Sequence, residues 1–354
     1  MIRNLLFAQL LFAQAILCCG TTAAEEPGPP KSFSARDSLA VGEESEADAR
    51  ACLATLAWTP GVFTVRLEAS APKRGAALVR FPSPYDSGDP INDRVAMEWY
   101  QPRDAQGQPL RAPAVVVVHE SGSGMTVGRI FARGLQRQGL HAFLIHLPFY
   151  GERRAGKRRP SAANLVTVIR QAVADVRRAR DAVAVLPLVD ASHVALQGTS
   201  LGGFVATTAA SLDRGYHSVF IMLAGGRLYD LFQNGEKDTA QVRREFEQAG
   251  VTGEDLKALL WTVEPTRVAH RLDRQRTWLY SGTFDRVVPF ANALALAKSA
   301  GLDGTHHIKM SANHYSGIVY LPFILKHMSQ RIVSTQQRPA APEDAPSKNP
   351  PGTR

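Results

Sequence analysis

The chain has 354 residues, 45% of them hydrophobic, which is far above the length at which core burial becomes marginal; disorder is excluded for most of it. The formal net charge of +9 favours anionic surfaces in general terms, yet no nucleic-acid-binding motif accompanies it, so the charge reads first as a solubility property and no nucleic-acid partner is expected.

Residues Met1-Ile2-Arg3-Asn4 carry a positive charge and lead into an apolar run from Leu5 to Leu17, followed by small residues up to Ala24. That order reads as a secretory signal peptide over residues 1–24, cleaved after Ala23 or Ala24, and the expected location is secreted or periplasmic. Lipid attachment at Cys18 or Cys19 is the second reading, because the residue before either cysteine is not small. The apolar run is too short for a membrane span, and nothing later is long enough. Removal of the signal leaves Cys52 as the only thiol, so core packing rather than an internal disulfide must supply stability. From Glu25 to about Arg50, Pro, Gly, Ser and acidic residues mix without a period, which predicts a disordered linker over 25–50. Residues 334–354 repeat Pro, Ala and polar residues and are expected to be disordered too.

The folded domain is therefore expected over 51–333. Val62 to Ala69, Ala76 to Phe81 and Val95 to Tyr100 alternate as two-faced antiparallel strands, whereas Ala114 to Val118 is wholly apolar, as in a buried parallel sheet. A helix over Arg129 to Gln138, a strand over His141 to His146 and a helix over Ser161 to Val185 follow. The rhythm continues with strand Val194 to Leu196, helix Leu201 to Leu212 and strand Ser218 to Leu223. It resumes with strand Thr277 to Tyr280, helix Ala291 to Ala300, strand Thr305 to Met310 and helix Ile318 to Ile332. Such alternation means an α/β fold, a mostly parallel sheet with helices on both faces. Between Tyr229 and Leu272, charged helical segments such as Val242 to Ala249 and Glu254 to Leu260 are too long for an ordinary crossover. They predict a helical cap insertion over about 227–272.

Ligands of a parallel sheet sit beyond the carboxyl ends of its strands. After Val194 to Leu196 comes Gly198-Thr-Ser200-Leu-Gly202, a G-x-S-x-G turn between a strand and a helix. Glycines are needed there because the serine occupies a sharp, strained turn that holds its hydroxyl clear of the sheet. A serine hydroxyl is a poor nucleophile until a base, oriented by a carboxylate, takes its proton. Asp285, following strand Thr277 to Tyr280, and His314, following strand Thr305 to Met310, lie at the right strand ends. Asp303, His306 and His307 fall at the start of the last strand, and Asp190 and His193 precede the nucleophile strand, so all five are expected at the opposite edge.

The G-x-S-x-G turn and the order Ser200, Asp285, His314 resemble the α/β-hydrolase superfamily. Within it the chain is most similar to the dienelactone hydrolase and acetyl-esterase-like branch, over roughly Ala114 to Met328, with Gly282, Asp285 and Pro289 matching closely. Dienelactone hydrolase proper uses a cysteine nucleophile, so Ser200 makes ester hydrolysis the activity the resemblance implies. Two backbone N–H groups should form an oxyanion hole: Leu201 after the nucleophile, and Glu120 or Ser121 in the loop His119-Glu-Ser-Gly-Ser-Gly124, where relatives commonly begin His-Gly. His119 itself is expected to hydrogen-bond loop backbone. In relatives, the loop holding Arg153, Arg154, Lys157, Arg158 and Arg159 borders the pocket; the first reading of this basic cluster is a solvated loop, and the second is attraction of an anionic group on the substrate or its carrier polymer.

These readings combine into an exported serine hydrolase that cleaves a small-molecule or polymer-linked carboxylic ester through an acyl-enzyme, with no metal or organic cofactor. One rival is a peptidase of the prolyl-oligopeptidase type; such enzymes usually carry an N-terminal propeller, for which the residues before Val62 are too few. The other is a non-catalytic binding protein on the same scaffold.

Overall fold

The computed structural model describes residues 31–71, 73–156 and 164–334. The expected signal peptide, the first residues of the expected linker, the basic run Lys157 to Arg159 and the tail from residue 335 lie outside the described residues.

The wholly apolar run that opens the parallel part of the sequence becomes β5 (Ala112–Val118), every residue of which is buried. Burial on both sides requires a cover on both sides. Val115 and Val117 pack with Phe131 and Leu135 of α2 (Thr126–Arg137) and with Ile324 and Met328 of α9 (Leu321–Ser334). Val116 and Val118 face the opposite layer, with Val173 and Val176 of α3 (Leu165–Ala184), Val205 and Ala209 of α4 (Leu201–Ser211) and Leu296 of α8 (Phe290–Ser299). The alternation of side-chain direction along one strand thus feeds two separate cores.

Around β5 the strands run in the order β1-β2-β3-β4-β6-β5-β7-β8-β9-β10. The first four, β1 (Lys31–Arg36), β2 (Val62–Glu68), β3 (Ala77–Pro82) and β4 (Arg94–Tyr100), are antiparallel, and β4 pairs antiparallel with β6 (His141–Ile145). From β6 onward through β5, β7 (Val189–Thr199), β8 (Val219–Met222), β9 (Thr277–Gly282) and β10 (His307–Met310), all pairings are parallel. The parallel strands all end at one edge, where the loops after β5, β7, β9 and β10 gather.

One expectation is corrected at the amino end. The stretch read as a disordered linker is structured from Lys31: β1 pairs residue by residue with β2, from Lys31 opposite Leu67 to Arg36 opposite Val62. Beyond it, Asp37 is buried against Arg178 of α3 at 2.6 Å, and α1 (Ala47–Leu56) turns Ala49, Cys52, Leu53 and Leu56 into the core. A polar composition concealed this because the stabilising partners lie on α3 and β2 rather than nearby in the chain.

Between β8 and β9 stand α5 (Leu228–Asn234), α6 (Asp238–Gln248) and α7 (Gly253–Trp261), inside the range 227–272. Leu228, Phe246, Leu256 and Leu260 form a small apolar cluster with Val166 of α3, which fixes this helical group against the main layer. No helix among the described residues is long and apolar enough to cross a membrane.

Candidate active site

Ser200 occupies the single residue between β7 and α4, at φ 53° and ψ −117°. Such a backbone conformation costs a non-glycine residue about 1–3 kcal/mol and persists only where the surroundings enforce it. Here they do. A Cβ on Gly202 would stand 2.2 Å from the Val118 carbonyl oxygen, and one on Gly198 would stand 2.2 Å from that of Gly202. Only glycines let helix α4 press this closely on β5 and β7. Ser200 is held from both sides, its N–H donating to Met222 O at 2.9 Å and its carbonyl accepting from Gly203 N at 2.8 Å.

The loops after β9 and β10 are tied together by Thr283 N donating to Met310 O at 2.9 Å and Phe284 N to Ala312 O at 3.1 Å. This brings Asp285 and His314 to the serine. Oδ1 of Asp285 accepts from Val287 N and Val288 N, both at 2.9 Å, leaving Oδ2 free to accept from His314 Nδ1 at 2.7 Å. Since the carboxylate only accepts, Nδ1 carries the ring proton, and Nε2 presents its lone pair to the Ser200 hydroxyl at 3.0 Å. The two side chains are nearly withdrawn from water, 2% exposed for Asp285 and 9% for His314. Ser200, His314 and Asp285 form one hydrogen-bonded line able to move a proton from hydroxyl to imidazole.

The rival residues stay at the other edge. His306 Nδ1 bonds Thr277 O and His307 Nε2 bonds Ser281 Oγ, while Asp303 accepts from Thr305. Asp190, Ser192 and His193 contact one another at the start of β7, but the serine and the carboxylate both meet the same ring nitrogen, so no relay exists.

In the loop after β5, the Glu120 side chain serves the following helix. Its carboxylate turns away from the nucleophile and accepts from Val127 N and Gly128 N, both at 3.0 Å, capping the first turn of α2. The acidic side chain therefore acts on the helix rather than on the site. His119 donates from Nδ1 to Glu120 O at 2.6 Å and accepts at Nε2 from Leu147 N at 3.1 Å, joining the loops after β5 and β6. Burial holds it neutral, pushing its pKa down to about 3. Tyr150 Oη donates to Ser121 O at 2.9 Å and fixes the same loop further out. Leu201 opens helix α4, so its N–H has no intrahelical acceptor.

The reading of a positive cluster at the mouth is corrected for Arg153. It is fully buried, paired with Asp175 of α3 at 2.8 Å and donating to Asn92 O and His146 O. Its charge is consumed inside the protein. Arg154 is exposed and borders a cavity of about 360 Å3. Ser121 and Leu201 line that cavity together, with Leu147 to Tyr150 of the loop after β6, one face of α3, and Asp238, Gln241, Val242 and Glu245 of α6; Glu120 does not. Neither the apolar face of α3 nor the α6 positions were singled out in the sequence. A helix pattern shows which residues share a face, but not that the face is left partly uncovered.

Residues 170–320 match the prolyl oligopeptidase family. A search among curated proteins finds no significant match. Among solved structures, an acetyl xylan esterase from Paenibacillus sp. R4 is similar with a TM-score of 0.56 at 18% identity, over 83% of this chain and 96% of that one. Acetyl xylan esterase 1 from Thermoanaerobacterium sp. JW/SL YS485 gives 0.53 at 14% identity, over 79% and 92%. A puromycin-hydrolyzing peptidase of Mycobacterium tuberculosis gives 0.54 at 16% identity, over 77% of this chain but 46% of the peptidase. The sheet order, the strained serine turn and these likenesses agree on an α/β-hydrolase fold.

Proposed function

We propose that the protein is a serine hydrolase that cleaves a carboxylic ester through an acyl-enzyme. The observation that carries this reading is the unbroken line from Ser200 Oγ to His314 Nε2, at 3.0 Å, and from His314 Nδ1 to Asp285 Oδ2, at 2.7 Å. Ser200 Oγ attacks the ester carbonyl carbon while His314 Nε2 takes the hydroxyl proton, and Asp285 steadies the imidazolium that results. The carbonyl oxygen, now an anion, is met by the Leu201 N–H and a second N–H from the loop after β5. For that second donor, Ser121 is favoured over Glu120, because it borders the same cavity as Leu201. His314 returns its proton to the leaving alcohol. Water, activated by the same imidazole, then releases the acid from Ser200.

An ester is preferred over an amide because the two acetyl xylan esterases are matched over 96% and 92% of their lengths, the peptidase over 46%. The match to the prolyl oligopeptidase family is what favours the second reading, a serine peptidase. Comparison of 4-nitrophenyl acetate with a proline 4-nitroanilide separates the two. The ester is expected to be turned over with the higher kcat/KM, and Ser200→Ala to lower that value by at least about a thousandfold. A faster rate on the anilide would establish the peptidase instead. Export through residues 1–24 belongs to the same proposal and is checked by sequencing the amino terminus of the protein recovered outside the cytoplasm.

A further inference from the structure

The tetrahedral carbon formed on Ser200 carries four substituents, and the site disposes of three of them. One is Ser200 Oγ itself. The oxyanion lies towards the Leu201 N–H, and the leaving oxygen must lie towards His314 Nε2, the atom that protonates it. The acyl chain takes the direction that remains, away from His314. The 360 Å3 cavity lies on the side away from His314: Leu201, next to the nucleophile, and Ser121 border it, whereas neither Ser200 itself nor any residue of the loops after β9 or β10 does.

Resting on the ester-hydrolase reading, we propose that this cavity is an acyl pocket for an unbranched apolar chain longer than acetyl, of the butanoyl to octanoyl class. Its inner wall is apolar, formed by Val168, Ile169 and Ala172 of α3 with Val205 of α4. Its volume of about 360 Å3 is on the order of ten water-sized groups, far more than an acetyl methyl occupies. Charge confines itself to the rim, where exposed Arg154 is opposed by exposed Asp238 and Glu245 of α6. That balance gives an anionic chain end no advantage. Val168 on α3 and Val242 on α6, facing the space from separate elements, set the length that fits.

The test is a series of 4-nitrophenyl esters, acetate, butanoate, hexanoate and octanoate, run beside hexyl acetate. The wild-type kcat/KM rises by roughly tenfold or more from acetate to hexanoate, as burial of added methylenes requires. Val168→Phe fills the pocket and lowers the hexanoate-to-acetate ratio by about tenfold; Val242→Phe does the same from α6, so misfolding of one variant leaves the other. A flat series with acetate turned over, a preference seen only in the alcohol of hexyl acetate, or an unchanged ratio in both variants would overturn the acyl pocket while leaving the ester-hydrolase reading in place. Turnover of no ester in the series would instead remove that reading, and the pocket assignment with it.

Discussion

Asp285 uses its two carboxylate oxygens for separate purposes: Oδ1 binds the Val287 and Val288 N–H groups of its own loop, and Oδ2 fixes His314. Asp285→Asn separates those purposes. The amide oxygen keeps the two backbone bonds, so the loop and the fold survive, but the amide nitrogen now donates to Nδ1 and moves the ring proton to Nε2. A protonated Nε2 faces Ser200 and takes no proton from it. The expected outcome is a fall in kcat of about 10⁴ with stability changed by less than about 1 kcal/mol, read from ester kinetics and urea unfolding of the same preparation. A loss of activity matched by a comparable loss of stability would mean that the carboxylate is only a loop brace.

Elements differ in how plainly the chain announces them. The turn from β7 through Ser200 into α4 is legible because close packing demands glycine at positions 198 and 202, and glycine leaves a visible spacing. Asp285 and His314 are legible through the strands before them, since the carboxyl end of a parallel strand fixes where the next loop emerges. β1 and α1 were missed for the converse reason. In β1 only Phe33 and Ala35 are apolar, and the buried pair that anchors the following residue joins Asp37 to Arg178, 141 positions away. Arg153, read from its basic neighbours as a surface charge, depends on Asp175 of α3, whose approach no local pattern signals. Glu120 likewise caps a helix whose first turn lies beyond an intervening loop.

The whole molecule carries a net charge of +9, yet it keeps several histidines uncharged inside. Burial lowers His119 to about 3 and His217 to about 4, and it lowers His141 and His146 as well. Unfolded, each would titrate near 6.5, so below that pH the unfolded chain binds more protons than the folded one. Stability therefore falls as the pH drops below 6.5, down to about 4 for His217 and about 3 for His119, by up to about 1.4 kcal/mol per pH unit for each of these two, and His141 and His146 act in the same direction. Glu98 adds a lower window. Burial pushes it up, but hydrogen bonds from His146, Arg129 and Tyr100 outweigh that and hold it at about 2, so its contribution is lost as the pH falls from 4.5 to 2. Urea unfolding between pH 7 and pH 4.5 is expected to show a steep decline in the wild type and a shallower one, by one titrating group, in His119→Gln. Parallel declines would mean that His119 is not held neutral.

Intact-protein mass spectrometry after exposure to a fluorophosphonate tests the nucleophile itself. The folded wild type should gain one phosphonyl group, located by peptide mapping on Ser200, and Ser200→Ala should gain none. A wild type that stays unlabelled while folded, or a label on any other residue, would contradict the assignment.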